Sequence, residues 1–192
     1  MRVFGIDPGS ERTGYGCVET DGRRHHLVAC GAISAPAASD LPQRLARIHG
    51  ELTALLADAH PDCVAIENIF YANNARSALR LGHARGVAML AAVQAGCTVV
   101  EYTPAEIKRA VVGYGRAEKH QVQQMIKLLL GLDAPPSPHD AADALAVAIC
   151  HLHSMSPASA QDLRAGEGTA DALPHARSQA RSWRQYRPPT QG

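Results

Sequence analysis

Two short apolar runs, each closed by a carboxylate, constrain the fold of this chain more than any other feature of it. Val3-Phe4-Gly5-Ile6 ends in Asp7, and Cys63-Val64-Ala65-Ile66 ends in Glu67. Apolar runs of this length bounded by turn signals read as buried strands, so both acids stand where covered structure ends. Two more acids, Asp140 and Asp143, lie one helical turn apart in a segment made mostly of alanine. An isolated charge in such surroundings is expensive to desolvate, and a metal ion is the simplest partner that removes the cost. Oxygen ligands with little histidine or cysteine among them suit a hard cation such as Mg²⁺ and chemistry on phosphates.

Each acid also has a plainer explanation. Asp7-Pro8-Gly9 is a good turn on its own. Asp140 follows Ser137-Pro138-His139 as the acidic residue of a capping box, which would favour a helix whatever the chemistry. Glu67 precedes Asn68 rather than a turn signal, and Asp143 falls on the same helix face as Asp140 among Ala141, Ala142 and Ala144, small residues that let a helix approach a sheet. Those two acids have no structural excuse. Ser10 and Thr13 read as turn residues, since neither has an evident base. His151 and His153, near Cys150, read as helix-end residues that favour the dipole rather than as metal ligands.

The order of elements gives an α/β fold. Three strands, Arg2 to Asp7, Gly14 to Glu19 and His26 to Ile33, are separated by turn signals and predict an antiparallel meander. A helix follows with Asp40 as N-cap, Pro42 in its first turn, and Leu41, Leu45, Ile48, Leu52, Leu55 and Leu56 at helical spacing. Then come a strand from Cys63 to Glu67, a loop from Asn68 to Asn74, a long helix from Ala75 to about Ala95 containing Leu79, Val87, Leu90 and Val93, and a strand from Cys97 to Tyr102. Thr103-Pro104-Ala105-Glu106 predicts a capped helix that Gly113 ends, and Glu118 to Leu130 predicts another. The last helix should open at Pro138 with Ser137 as its cap and run to about His153. Together these predict a mixed five-stranded sheet, an antiparallel meander followed by parallel βα units, flanked by helices.

A single domain over 1–153 accounts for this pattern, and 154–192, rich in Ser, Ala, Arg, Gln and Pro without apolar period, reads as a disordered tail. Its Arg177, Arg181, Arg184 and Arg187 surround Trp183. Aromatic residues make up only 4% of the 192 residues, so Ala, Val, Leu and Ile must fill the core. Five cysteines without C-x-x-C spacing read as reduced core residues. Nothing resembles a signal peptide or a membrane span, and a cytoplasmic location is expected. The net charge of +1 rules out a uniformly basic surface, but between Ala72 and Lys127 eight basic residues face three acidic ones. A local nucleic-acid patch is therefore available. Neither G-x-x-x-x-G-K-[ST] nor G-x-G-x-x-G is present, which disfavours standard nucleotide sites.

Several motifs together carry a resemblance. Gly5-Ile6-Asp7-Pro8-Gly9-Ser10 with Thr13-Gly14-Tyr15-Gly16, Ala65-Ile66-Glu67 with Phe70, Ser77-Ala78-Leu79, Ala84-Arg85-Gly86-Val87-Ala88, Lys108 with Val111-Val112-Gly113, Ala117-Glu118-Lys119 with Gln121-Val122, and Asp140-Ala141-Ala142-Asp143-Ala144-Leu145 resemble the RuvC-type Holliday junction resolvases, in order and in spacing, from the first residues to about His153.

The resemblance implies an RNase H-like fold, a homodimer, and resolution of four-way DNA junctions by paired symmetric nicks in recombination and repair, leaving 5′-phosphate and 3′-hydroxyl ends. It assigns metal binding and catalysis to Asp7, Glu67, Asp140 and Asp143, with two Mg²⁺ ions per site and Mn²⁺ as the alternative ion. Lys119 would offset charge in catalysis. Contacts to DNA would come from Phe70, Tyr71, Arg76, Lys108 and Lys119, with Phe70 stacking at the junction centre. Asn73 departs from the pattern, standing where a lysine is expected. A branch-migration motor is the implied protein partner, and the long helix, with Leu79, Gly82, Gly86, Met89 and Leu90, offers a dimer interface. Two alternatives remain in view: an RNase H-like nuclease acting on other nucleic acids, and an actin-like ATPase, which would need a second phosphate loop and an adenosine motif that the sequence lacks.

Overall fold

The computed structural model of the chain describes residues 1–36, 38–68 and 74–155. Among them are the strands β1 Arg2–Asp7, β2 Arg12–Thr20, β3 His25–Ser34, β4 Cys63–Glu67 and β5 Thr98–Tyr102. The helices are α1 Leu41–Ala59, α2 Ala75–Gln94, α3 Pro104–Val112, α4 Lys119–Leu129 and α5 His139–Ser154. One mixed sheet forms in the order β3-β2-β1-β4-β5. The meander β1-β2-β3 is antiparallel, and β4 and β5 add in parallel on the other side of β1. The expected architecture is therefore present. β2 and β3 are longer than the apolar pattern suggests because backbone pairing runs on into polar ends, from Arg12↔Ser34 to Thr20↔His25 across a bulge at Cys17/Val18.

Strand alternation divides the core in two. Phe4, Ile6, Cys17, Val64 and Ile66 point toward α1 and α2, where Ile48, Leu52, Leu56, Ala88 and Ala92 cover them. Val3, Val18, Cys63 and Ala65 point the other way, toward Leu145, Ile149, Ile107, Val111, Val122 and Ile126 of α3, α4 and α5. The helix ends follow their local chemistry. The Asp40 side chain accepts from the Gln43 backbone N–H at the start of α1, and Thr103 and Glu106 close the capping box of α3.

The start of α5 differs from expectation. Pro138, not Ser137, is the N-cap, and no side chain caps the helix. Asp140 is thus not the acid of a Ser137 capping box. The long helix α2 buries alanines (Ala84, Ala88, Ala91 and Ala92), while Leu79 and Leu90, offered for a dimer interface, are exposed along with Val93. All five cysteines are free. Among the described residues no helix is long and apolar enough to cross a membrane. The loop residues 69–73 and the expected tail beyond Met155 lie outside the described residues.

The helix α5 lies almost on the backbone of the sheet. It is buried along nearly its whole length, from Ala141 to His151. A Cβ built on Gly5 would collide with the Ala144 carbonyl oxygen, one on Gly14 with the Asp140 carbonyl, and one on Gly16 with the Leu145 side chain. Since the first two obstacles are backbone, a methyl group there cannot be absorbed by a rotamer change. We expect Gly5→Ala to destabilise the protein by about 1–3 kcal/mol through overpacking. Gly50→Ala, in open space on α1, should instead stabilise by about 0.5–1 kcal/mol. Urea denaturation of the two variants checks the contrast, and a Gly5→Ala protein as stable as wild type would contradict the close approach.

Candidate active site

Asp7 and Glu67 end adjacent parallel strands at the same level, one residue beyond the pair Ile6↔Ile66. Both lie in the alternation that points toward α5, in line with Val3 and Gly5 on β1 and with Cys63 and Ala65 on β4. Gly14 is the β2 partner of Asp7, and the backbone of Asp140 rests over Gly14. The close approach of α5 thus delivers Asp140, and Asp143 one turn on, to the end of the sheet that carries the first two acids. Asp7, Glu67 and Asp143 line a cleft of about 370 Å³, together with Lys108 of α3, Lys119 of α4 and an apolar wall that includes Ile107 and Val122.

Electrostatics mark the same place. Burial pushes the Asp7 carboxyl up to about 9, with further contributions from the charge and hydrogen bond of Glu67 and from Asp143 and Asp140. Glu67 is also raised, first by burial and then by Asp143, with the Asp7 hydrogen bond, Lys119 and Lys108 opposing. The two carboxyls stand at the ends of adjacent paired strands, and one proton between them would relieve the repulsion. Lys119 Nζ stands 2.6 Å from Asp143 Oδ2. Burial works to lower the lysine ammonium, but Asp143, Asp7 and Asp140 outweigh it and hold it above its ordinary value. Arg12 Nη1 lies 3.5 Å from Asp140 Oδ2 at the rim.

The donor set fits a hard divalent cation: carboxylate oxygens from three directions, a pair that is costly to ionise without added positive charge, and no cysteine or histidine lining the cleft. Among the described residues, no three such side chains already converge as ligands around one point. Asp143 is engaged by Lys119 and Asp140 by Arg12.

Comparison with known proteins decides the family. The profile described as "Crossover junction endodeoxyribonuclease RuvC" matches residues 3–151. The chain belongs to the RuvC family. The RuvC of Koribacter versatilis is 54% identical over 157 residues, which are 81% of this chain and 95% of that protein. The RuvC of Pelobacter propionicus is 50% identical over 188 residues, 98% of this chain and all of that one. Among solved structures, Thermus thermophilus RuvC in complex with Holliday junction substrate is 33% identical with a TM-score of 0.77, covering 84% of this chain and 96% of that one. The fold is RNase H-like. Yeast mitochondrial Ydc2, at 14% identity and a TM-score of 0.56, supports the fold alone.

Of the residues singled out from sequence, Asp7, Glu67, Asp143, Lys108 and Lys119 share the cleft, and Asp140 stands at its edge. Arg76 is exposed in the first turn of α2. Phe70, Tyr71 and Asn73 lie outside the described residues. Sequence reasoning missed Arg12 as the partner of Asp140, because nothing in local pattern ties residues so far apart in the chain. It also left Thr13 as a plain turn residue. That fully buried hydroxyl donates to the Gly9 carbonyl at 2.8 Å and braces the connection that follows Asp7.

The raised carboxyls predict a pH effect with a definite sign. The folded chain keeps Asp7 protonated in a range where the unfolded chain, at its ordinary 3.8, has lost the proton. The folded state therefore binds more protons between roughly pH 4 and 9, and stability falls as pH rises through that window. Between pH 7 and 8.5 the slope of wild type should be steeper than that of Asp7→Asn by about 1.4 kcal/mol per pH unit for each extra proton held. Asp7→Asn should also melt above wild type at pH 8. Denaturation in EDTA across that range is the measurement, and a wild-type protein of constant stability would contradict the buried, proton-sharing pair.

Proposed function

We propose that this chain is a structure-selective endonuclease that resolves four-way DNA junctions by hydrolysing phosphodiester bonds in paired, symmetric nicks. The observation that carries the reading is the cleft itself: Asp7 and Glu67 at the ends of paired strands, Asp143 with Lys119, and Lys108 on the same lining, in a chain that aligns along most of its length with a RuvC bound to a Holliday junction.

The residues act in distinct ways. Asp7, Glu67, Asp140 and Asp143 would hold divalent cations, two Mg²⁺ per site, which supply an activated water and stabilise the entering and leaving oxygens. Lys108 and Lys119 reach the cleft from two different helices and supply positive charge for the scissile phosphate and its neighbour. The proton shared by Asp7 and Glu67 must leave before both carboxylates act as ligands, which couples activity to pH. Arg12 keeps Asp140 turned toward the edge of the site. The apolar wall of Ile107 and Val122 limits water on the side away from the acids.

Nucleases of this fold that act on RNA or on simple duplex form the main rival reading. Purified protein offered four-way junction, duplex and RNA–DNA hybrid with Mg²⁺ separates them: cutting of junction alone, at points related by two-fold symmetry with 5′-phosphate products, is expected.

Glu67→Gln, Asp143→Asn and Asp140→Asn should each lose cutting by at least about 10²-fold while binding junction as wild type does, since phosphate binding rests on the basic residues. Nicking by Glu67→Gln at the wild-type rate would refute the metal-carboxylate mechanism. The nuclease unit should lie within 1–153, so that a chain ending at Ser154 still folds and cuts; an insoluble truncation would assign the tail to the structure.

Paired nicks call for two sites, and a two-fold dimer supplies them from one chain. The face of α2 suits this role: Leu79 is 66% exposed and Leu90 50%, with Gly82 and Gly86 leaving open space between them, which is a large apolar face for a surface helix. A Leu79→Glu/Leu90→Glu protein should sediment as a monomer and lose paired nicking, whereas wild type sediments as a dimer at micromolar concentration. Unchanged sedimentation of that variant would place the interface elsewhere.

A further inference from the structure

We infer that Arg44 is a positioning residue for the junction-cutting reaction, holding the turn between β1 and β2 on which the site is built. Its side chain is only 5% exposed, in the first turn of α1. The nearest charge is Glu11 Oε1, 3.6 Å from Nη1 and thus beyond hydrogen-bonding distance, on a residue that is itself 59% exposed. Buried Nε and Nη1 make no hydrogen bond among the described residues. A buried guanidinium with so little compensation is poor material for stability, since an apolar side chain of similar length would fill the same space without the desolvation cost. Its neighbours Ile48 and Leu52, one and two turns on, show what this face of α1 otherwise uses.

What Arg44 reaches is informative. Glu11 is where three elements meet: its carbonyl accepts the Ala35 N–H at 2.8 Å just after β3, its carboxylate faces Arg44 of α1, and it precedes Arg12 at the start of β2. The Gly9–Thr13 hydrogen bond closes the same turn from inside. Asp7 enters this turn and Arg12, the partner of Asp140, leaves it. A shift of the turn therefore disturbs Asp7 directly, and Asp140 through Arg12, while Glu67 and Asp143 stand on β4 and α5. Arg44 anchors the turn to the far face of the sheet, where α1 is fixed by the core around Phe4 and Ile6.

The inference rests on the junction-cutting reading above. Full-length wild type, Arg44→Met, Arg44→Lys, Glu11→Ala and the Glu11→Ala/Arg44→Met pair are compared by melting temperature, by junction affinity in Ca²⁺, and by single-turnover cutting rate against Mg²⁺ concentration. Arg44→Met should melt at or above wild type and bind junction normally, yet cut on the order of ten- to a hundredfold more slowly, with half-maximal rate at higher Mg²⁺. Arg44→Lys should recover part of the rate. Glu11→Ala should slow cutting in the same sense, and the double variant should be no slower than Arg44→Met. A folded Arg44→Met that cuts like wild type, or a loss of rate that only follows a loss of melting temperature, overturns the inference. Should Arg44→Met fail to fold, wild-type cutting by Glu11→Ala overturns it instead. Wild-type protein that cuts no junction would mark failure of the underlying reading, not of Arg44.

Discussion

The contact on which the rest of the structure depends is the bare-backbone approach of α5 to β1 and β2. Gly5 and Gly14 face carbonyl groups of Ala144 and Asp140, and α5 answers with Ala141, Ala144 and Ala148. Interiors are packed at crystal-like density, so a side chain at any of these points would lift the helix rather than find room. Lifting it would separate Asp140 and Asp143 from Asp7 and Glu67. The same small residues that look like weak core material therefore set the dimensions of the site. They also explain why α5 is buried on all sides: α3 and α4 cover the face turned away from the sheet.

Much of this was legible in the sequence, for reasons that can be stated. β4 and the core of β1 are short apolar runs with an acid at the end, and burial of a strand leaves no other pattern. α1 and α3 carry their own start signals in Asp40 and in Thr103 with Glu106, so their bounds follow from local hydrogen bonds. Where local chemistry is silent, the reading was incomplete. Ser137 has the right identity for a cap, yet Pro138 takes the position. Which α2 residues cover the sheet is likewise set by packing: the alanines do, and Val93 is exposed beside the Leu79 and Leu90 already offered for an interface. Arg12 with Asp140, and Arg44 with Glu11, are pairings set by tertiary approach alone.

Electrostatic tension and stability trade against each other here. Asp7 and Glu67 sit on two hydrogen-bonded strands that cannot move apart, so their repulsion is relieved only by a shared proton or by added positive charge. A flexible site would relax by turning one carboxyl to solvent. Placing both acids at strand ends forbids that, and the cost appears as raised carboxyls rather than as altered geometry. On the proposed mechanism the tension is useful, because it would leave the pair with a preference for a compact cation over water.

The surrounding basic groups are arranged so as not to cancel that preference. Lys119 meets Asp143 rather than the buried pair, and its side chain is 60% exposed. An ion pair with that much solvent contact contributes little to stability, so exchanging it has little energetic consequence. On the mechanism proposed above, the ammonium would pass from Asp143 to a phosphate oxygen entering the same cleft and leave a carboxylate oxygen free. Had Lys119 been buried against Asp7, it would have stabilised the folded chain more and kept a cation out. Its position at the first residue of α4, with an exposed side chain on a helical backbone, would suit a group that on that mechanism serves the resting protein and the substrate complex in turn.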